Sequence, residues 1–229
     1  MTLLICALAG LATGILLNWA EDYMPRWATQ RIEMSPPRWQ FALGRLLSSL
    51  LSRTDSLRAL SIWRAAGVEA VTAALFVYLG ARLGLSSDLW IQAAIVSFLI
   101  LVALIDLKYH LVLNVMVLPA FVLVLWMHWV TPGTNWLAVF IGGCFGWGIF
   151  AVVAWLRPGE LGAGDVKLAA LIGLGLGFPN VLGALLIAVF AGGLGVIILV
   201  AKRGANLKSQ MPYAPFLSLG AIAMLVYLG

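Results

Sequence analysis

The stretch Gly159-Glu160-Leu161-Gly162-Ala163-Gly164-Asp165-Val166-Lys167-Leu168 places charge and glycine between two long apolar runs. An aspartate that enters a membrane segment is costly unless it is paired or faces water, so Asp165 marks a functional site by default. Gly162 and Gly164 let the backbone bend tightly and let another segment approach Asp165 closely. The alternative is that Asp165 only caps a helix, and this stretch by itself leaves both interpretations open.

The composition of the whole chain places this stretch in a membrane protein. Of the 229 residues, 63% are hydrophobic and 10% are charged, and the mean hydropathy is +1.04. A soluble domain of this size cannot bury so much apolar surface, which predicts an all-α, polytopic membrane protein. The net charge of +5 follows the loops of such a topology, so no nucleic-acid partner is expected. Cys6 and Cys144 lie far apart in apolar runs, which favours neither a disulfide framework nor a metal site.

About eight apolar segments predict eight transmembrane helices in a single domain over residues 1–229, since most approach the ~20 residues that cross a hydrocarbon core. They are Thr2–Ala20, Ala65–Gly84, Leu89–Asp106, Val112–Val130, Trp136–Leu156, Asp165–Phe178, Val181–Ala201 and Tyr213–Leu228. The sixth segment is short and rich in glycine, which is typical of a helix buried among its neighbours or broken near its start.

Lysine and arginine concentrate in alternate connections, and this asymmetry predicts the orientation. The connection from Glu21 to Arg64 carries most of the arginines, whereas those near Asp88, Pro132 and Pro179 are nearly free of basic residues. We therefore expect a multi-pass protein of the inner (cytoplasmic) membrane, with basic loops in the cytoplasm and both termini outside. Apolar residues at helical spacing among arginines from Trp39 to Leu60 predict one amphipathic cytoplasmic helix on the lipid surface.

A second aspartate lies where another apolar run ends, in Leu104-Ile105-Asp106-Leu107-Lys108. The predicted orientation puts Asp106 and Asp165 on the same cytoplasmic side. Two neighbouring carboxyl groups cannot both ionise cheaply, so one can act as a base on water while the other donates to the carbonyl oxygen under attack. A proton-coupled transporter could also use two aspartates, but it would be expected to carry them near the bilayer midplane in repeated halves. The sequence therefore favours peptide hydrolysis over transport.

At these two aspartates the sequence resembles the type IV prepilin peptidases, membrane aspartyl proteases with a Gly-x-Gly-Asp motif. The run Gly162–Leu168 matches the second aspartate motif of that family, and Asp106-Leu107-Lys108 with Asn114 is similar to the first. Leu113 stands where the family has a proline before the asparagine. The run Met211-Pro212-Tyr213-Ala214-Pro215-Phe216-Leu217 resembles the motif of the family's final helix, usually Pro-Phe-Gly-Pro-Phe.

The resemblance implies an aspartic endopeptidase that cleaves the basic leader of prepilins or pseudopilins at the cytoplasmic face, with Asp106 and Asp165 as the catalytic residues. The expected substrate-binding residues are Gly162, Gly164, Lys167, Glu160 and Asn114. The two glycines are expected to leave room for an extended substrate backbone beside Asp165. Glu160 either attracts the basic leader or is a solvated loop charge.

Many members of the family also methylate the new N-terminus with S-adenosylmethionine and carry two Cys-x-x-Cys pairs in the first cytoplasmic loop. Here the loop 21–64 has no cysteine, although Asn18 and Glu69 match weaker N-terminal signatures. We expect cleavage without a cofactor or metal, and S-adenosylmethionine only if methylation is retained. The expected partners are a prepilin or pseudopilin and the lipid bilayer, and the oligomeric state is left open. The alternative function is a non-catalytic scaffold or assembly factor for a pilus or secretion system, derived from such a peptidase.

Overall fold

The computed structural model describes residues 2–30, 54–110, 112–156, 161–203 and 212–228. Within these ranges the chain forms α-helices and no strand. The helices are α1 (Thr2–Gln30), α2 (Thr54–Leu83), α3 (Ser87–Tyr109), α4 (Asn114–Val130), α5 (Trp136–Leu156), α6 (Ala163–Leu176), α7 (Asn180–Arg203) and α8 (Ala214–Leu228). Each helix overlaps one of the apolar segments expected from the sequence, so the all-helical class is confirmed.

Five of the described helices, α1, α2, α3, α5 and α7, are long and apolar enough to cross a membrane. The apolar helices α4, α6 and α8 have 17, 14 and 15 residues. A 17-residue helix is about 25 Å long, slightly shorter than the ~30 Å hydrocarbon core. The chain is therefore an integral membrane protein, and the number of eight crossings stays a prediction.

The connection between α1 and α2 is shorter than the sequence suggested. Helix α1 continues to Gln30 and α2 begins at Thr54, so helices occupy both ends of the expected loop 21–64. The Glu21 side chain is buried, and its Oε1 lies 3.3 Å from Arg64 Nη2, which joins the two helices beyond their apolar runs. The predicted amphipathic helix over Trp39–Leu60 lies mostly outside the described residues, and its last residues begin α2.

The chain divides into two compact units, Met1–Ala93 and Ala94–Gly229, and the single domain stays a prediction. In the first unit α1 packs along α2. The Asn18 side-chain amide donates to Glu69 Oε1 at 3.3 Å and to the Ala65 carbonyl oxygen at 3.2 Å. These two hydrogen bonds join the helices through polar groups, as interhelical amides do in membranes.

In the second unit α6 is the central helix, in contact with α4, α5, α7 and α8. Most of its residues from Asp165 to Gly173 are buried, which confirms the expectation of a buried, glycine-rich helix. Helix α5 lies so close to α6 that a Cβ atom on Gly146 would overlap the carbonyl oxygen of Ala169. Gly142 and Gly173 allow an equally close approach one turn away. Small residues at the interface therefore set the position of α6.

Gly146→Ala is expected to lower the thermal stability, because the new Cβ would meet backbone atoms of Ala169 that cannot rotate away. Overpacking of this kind costs about 1–3 kcal/mol. Gly148→Ala, in the same helix, is the control because a Cβ there would meet nothing within 4 Å. Circular dichroism of the purified variants during heating in detergent measures the difference. Equal melting temperatures for both variants would contradict the close packing of α5 on α6.

Candidate active site

Asp106 lies in the last turn of α3, and its side chain is only 4% exposed. Helix α3 ends at Tyr109, and the His110 N–H donates to the Asp106 carbonyl oxygen at 2.8 Å. His110 has a φ of 52°, in the left-handed region that residues other than glycine adopt uncommonly. The left-handed conformation of His110 ends helix α3 one turn after Asp106.

Asp165 lies in the first turn of α6 and is 8% exposed. Its backbone N–H donates to the Gly162 carbonyl oxygen at 3.1 Å, which closes the turn that begins the helix. A Cβ atom on Gly162 would lie 3.3 Å from Asp165 Oδ2, so glycine lets the carboxyl group fold back over the backbone. Asp165 Oδ1 is buried without a hydrogen-bond partner in the part of the chain that the structure describes. Because such an oxygen is costly, this position suits a donor from water or substrate.

The two aspartates lie close enough for their carboxyl groups to interact electrostatically. The backbone N–H of Ala214, at the start of α8, donates to Asp106 Oδ2 at 3.2 Å in a buried hydrogen bond. The end of α3 and the starts of α6 and α8 therefore meet at one end of the second unit. The structure brings together the two residues expected to be catalytic, and their catalytic role stays a prediction.

Gly164 has a neighbour that the sequence did not indicate. A Cβ atom at this position would lie 2.6 Å from Val112 Cβ and 3.1 Å from the Val112 carbonyl oxygen. The segment between α3 and α4 therefore fills the space in which an approaching substrate backbone was expected. Gly164 therefore sets the distance between the start of α6 and the segment that follows α3, and substrate binding by Gly162 and Gly164 stays a prediction.

Lys167 and Asn114, both expected to bind substrate, contact each other. Lys167 Nζ donates to Asn114 Oδ1 at 2.8 Å. Asn114 is the first residue of α4 and Lys167 follows the first turn of α6, so this exposed hydrogen bond ties the two helix starts together. Glu160 lies outside the described residues, and its role stays a prediction.

Leu113 adopts the backbone conformation that proline would take. It is the N-cap residue of α4, with φ −75° and ψ 122°. Proline fixes φ near −65 ± 15°, so proline at this position would be compatible with the observed φ. The turn before Asn114 therefore forms with leucine in place of the proline.

Two contacts of the site were missed from the sequence. Val112 is an apolar residue with no motif of its own, and nothing in the sequence distinguishes it from its neighbours. Ala214 lies within the run that resembles the family's final-helix motif, which could have pointed to it. Across the described ranges, no group of three or more His, Cys, Asp and Glu side chains is placed to hold a metal ion.

The fold and the site define a helical membrane protein with a buried pair of aspartates. Residues 93–199 match the model of the type IV leader peptidase family. The prepilin leader peptidase/N-methyltransferase of Bacillus subtilis (strain 168) is 32% identical over 160 residues, which are 69% of this chain and 64% of that relative. The chain thus covers less than two thirds of this relative's length. No solved structure matches this chain. Both matches confirm the resemblance to the type IV leader peptidase family that the two aspartate motifs of the sequence indicate.

If the aspartate pair is catalytic, Asn114→Ala is expected to slow substrate cleavage about 2- to 10-fold, the effect of losing one ordinary hydrogen bond. The bond to Lys167 keeps the start of α4 on α6, and with it the contact of Val112 with Gly164 beside Asp165. Asn114→Asp retains an acceptor oxygen and is the control, with activity near that of the unmodified protein. Rates on a synthetic prepilin in detergent provide the measurement, and equal rates for the two variants would contradict this role of the bond.

Proposed function

We propose that this protein is a membrane-embedded aspartic endopeptidase that cleaves the N-terminal leader of a prepilin or pseudopilin. The observation that carries the proposal is the pair of Asp106 and Asp165, two buried carboxyl groups from different helices that interact at one end of the second unit. The match of residues 93–199 to the leader peptidase family model supports the class of substrate. The pair supports the type of chemistry, because two neighbouring carboxyl groups can serve as base and acid together.

In the proposed reaction one carboxylate takes a proton from a water molecule as the water oxygen attacks the carbonyl carbon of the scissile amide. The other carboxyl group, in its protonated form, donates to the carbonyl oxygen on which charge develops. The proton held by the base then passes to the amide nitrogen, and the carbon–nitrogen bond breaks. The products are the carboxyl end of the leader and the free amine of the mature pilin. The buried Asp165 Oδ1, which has no partner among the described residues, is available for a hydrogen bond to water or substrate.

The position of the pair fits a substrate that joins a basic leader to an apolar helix. Such a substrate lies partly in the bilayer, and its scissile bond must be in an unwound stretch because a helix hides its amides in internal hydrogen bonds. Asp106 and Asp165 lie at helix ends and not at helix midpoints, so the reaction takes place at one edge of the apolar unit. We propose that Glu160, shortly before Asp165, attracts the basic leader.

We also propose that the site faces the cytoplasm from the inner membrane and that both termini are outside. Lys108 and Lys167 lie at the end of the second unit that holds the aspartates. The turn over residues 131–135 at the other end has no lysine or arginine, and Trp129 and Trp136 are in edge-to-face contact beside it. Basic residues favour the cytoplasmic side, and tryptophans favour membrane interfaces.

We propose that cleavage proceeds without a cofactor and without N-methylation. The two cysteines of the chain are Cys6 and Cys144, so the paired Cys-x-x-Cys motifs of methylating family members are absent. Asn18 and Glu69, which match the family's N-terminal signatures, bond to each other. S-adenosylmethionine would supply a methyl group to the new N-terminus, and no step of the cleavage uses it.

Asp106→Asn and Asp165→Asn should each abolish cleavage, because neither carboxyl group alone can supply both base and acid. Asp88→Asn is the matched control, since Asp88 lies in the first turn of α3, at the opposite end from Asp106. Cleavage of purified prepilins and pseudopilins in detergent is measured by gel shift, with equal amounts of inserted protein. Full activity in either dyad variant would refute the aspartyl mechanism. A native protein that cleaves none of them would favour the scaffold function.

The proposed orientation predicts that positions 52 and 131 lie on opposite sides of the membrane. Single cysteines replace Ser52 or Thr131 in a chain whose Cys6 and Cys144 are alanine. A membrane-impermeant maleimide added to intact cells should label the cysteine at position 131 and reach position 52 only after the cells are opened. Labelling of both positions from outside would overturn the orientation and the cytoplasmic placement of the site.

A further inference from the structure

We infer that the backbone amide of Ala214 is a positioning group of the active site, which holds one oxygen of Asp106 as a hydrogen-bond acceptor and so prepares that carboxylate for catalysis. The inference rests on the proposed peptidase function and adds the start of α8 to the machinery of the site. Ala214 acts through Asp106, and its own side chain has no part in the reaction.

The Ala214 N–H is a donor that the helix itself does not use. Ala214 is the first residue of α8, and the first amides of a helix have no partner within it. The next residue, Pro215, has no N–H, and the Phe216 N–H already donates to the Tyr213 carbonyl oxygen at 3.1 Å. Among the first three residues of α8, Ala214 is the one whose N–H is available to a group outside the helix.

The Ala214 N–H bonds to a carboxyl group at a buried position, where water does not compete for the hydrogen bond. Ala214 is fully buried, with 0% exposure, and Asp106 is 4% exposed. The N–H lies 3.2 Å from Asp106 Oδ2. A hydrogen bond to an ionised acceptor is about twice as strong as a neutral one, and the start of a helix favours negative charge. The amide therefore fixes the orientation of the carboxyl group and favours the form that a base needs.

The sequence keeps the donor while the side chain at this position differs from the family's usual one. The final-helix motif that the chain resembles has glycine where Ala214 stands, and both residues carry an N–H. Proline is the standard residue without this donor, and it is well accommodated at the first position of a helix. Proline at position 214 therefore removes the donor and suits the start of α8, while its Cδ lies where the N–H pointed and displaces the Asp106 carboxyl group.

The test compares Ala214→Pro, which removes the N–H, with Ala214→Gly, which retains it. We expect kcat on a synthetic prepilin to fall by at least about 10- to 100-fold in the proline variant, because the loss of one hydrogen bond to a charged group alone has that effect. KM should be unchanged, because the amide contacts Asp106 and not the substrate. The glycine variant should keep the kcat of the unmodified protein, and the melting temperatures of all three proteins are compared in detergent.

A second variant covers the case in which proline disturbs folding. Replacement of Ala214 by lactate makes an ester at this position, which removes the N–H and keeps the methyl side chain and the helix start. A fall in kcat in the ester variant, with KM and melting temperature retained, supports the inference. An unchanged kcat in the ester variant, or equal losses in the proline and glycine variants, overturns it. If the unmodified protein cleaves no prepilin, the proposed function fails and the inference fails with it, whereas cleavage by the unmodified protein with an unchanged kcat in the ester variant overturns the inference alone.

Discussion

Two carboxyl groups inside an apolar helical unit need polar neighbours, and this need shapes the second unit. Helix ends are where backbone groups without intrahelical partners are available. Asp106 lies at the end of α3 and receives the N–H from the start of α8, while Asp165 lies in the first turn of α6. The ends of these three helices thus converge on the pair. The Ala214 N–H reduces the cost of burying Asp106. Asp165 Oδ1, buried without a partner among the described residues, lies at the place proposed for the reaction.

Close packing of the helices fixes the positions of the helix ends around the two aspartates. Lipid is as apolar as a leucine side chain, so helices in a membrane associate through packing and interhelical hydrogen bonds. Gly146 and Gly173 let α5 and α6 approach each other at backbone distance, and Gly164 admits Val112 beside Asp165. The Lys167–Asn114 hydrogen bond joins the starts of α6 and α4 from the exposed side. The position of each carboxyl group is therefore set by contacts on several sides of α6.

Hydropathy predicted much of this architecture, and the differences have physical causes. Helix α5 has the bounds expected from its apolar run. Helices α1 and α2 extend beyond theirs into polar residues that include the Glu21–Arg64 pair, because charged residues count as loop in a hydropathy profile. The aspartates could be identified because a charge in an apolar segment is conspicuous. The contact of Val112 could not be identified in this way, because an apolar side chain near a membrane segment does not stand out in the sequence. A close approach at Gly164 could be predicted from the glycine, but not which segment makes it.

The short connection between Tyr109 and Asn114 has a further consequence for the evolution of the site. Its Val112 packs on Gly164, and the asparagine that follows it bonds to Lys167, so both contacts depend on the number of residues after α3. An insertion or deletion there would move both contacts out of register at once. In the turn at the opposite end of the unit, a Cβ atom on Gly133 would meet nothing within 4 Å. Natural selection can therefore act on the length of the first connection far more strictly than on the length of the second.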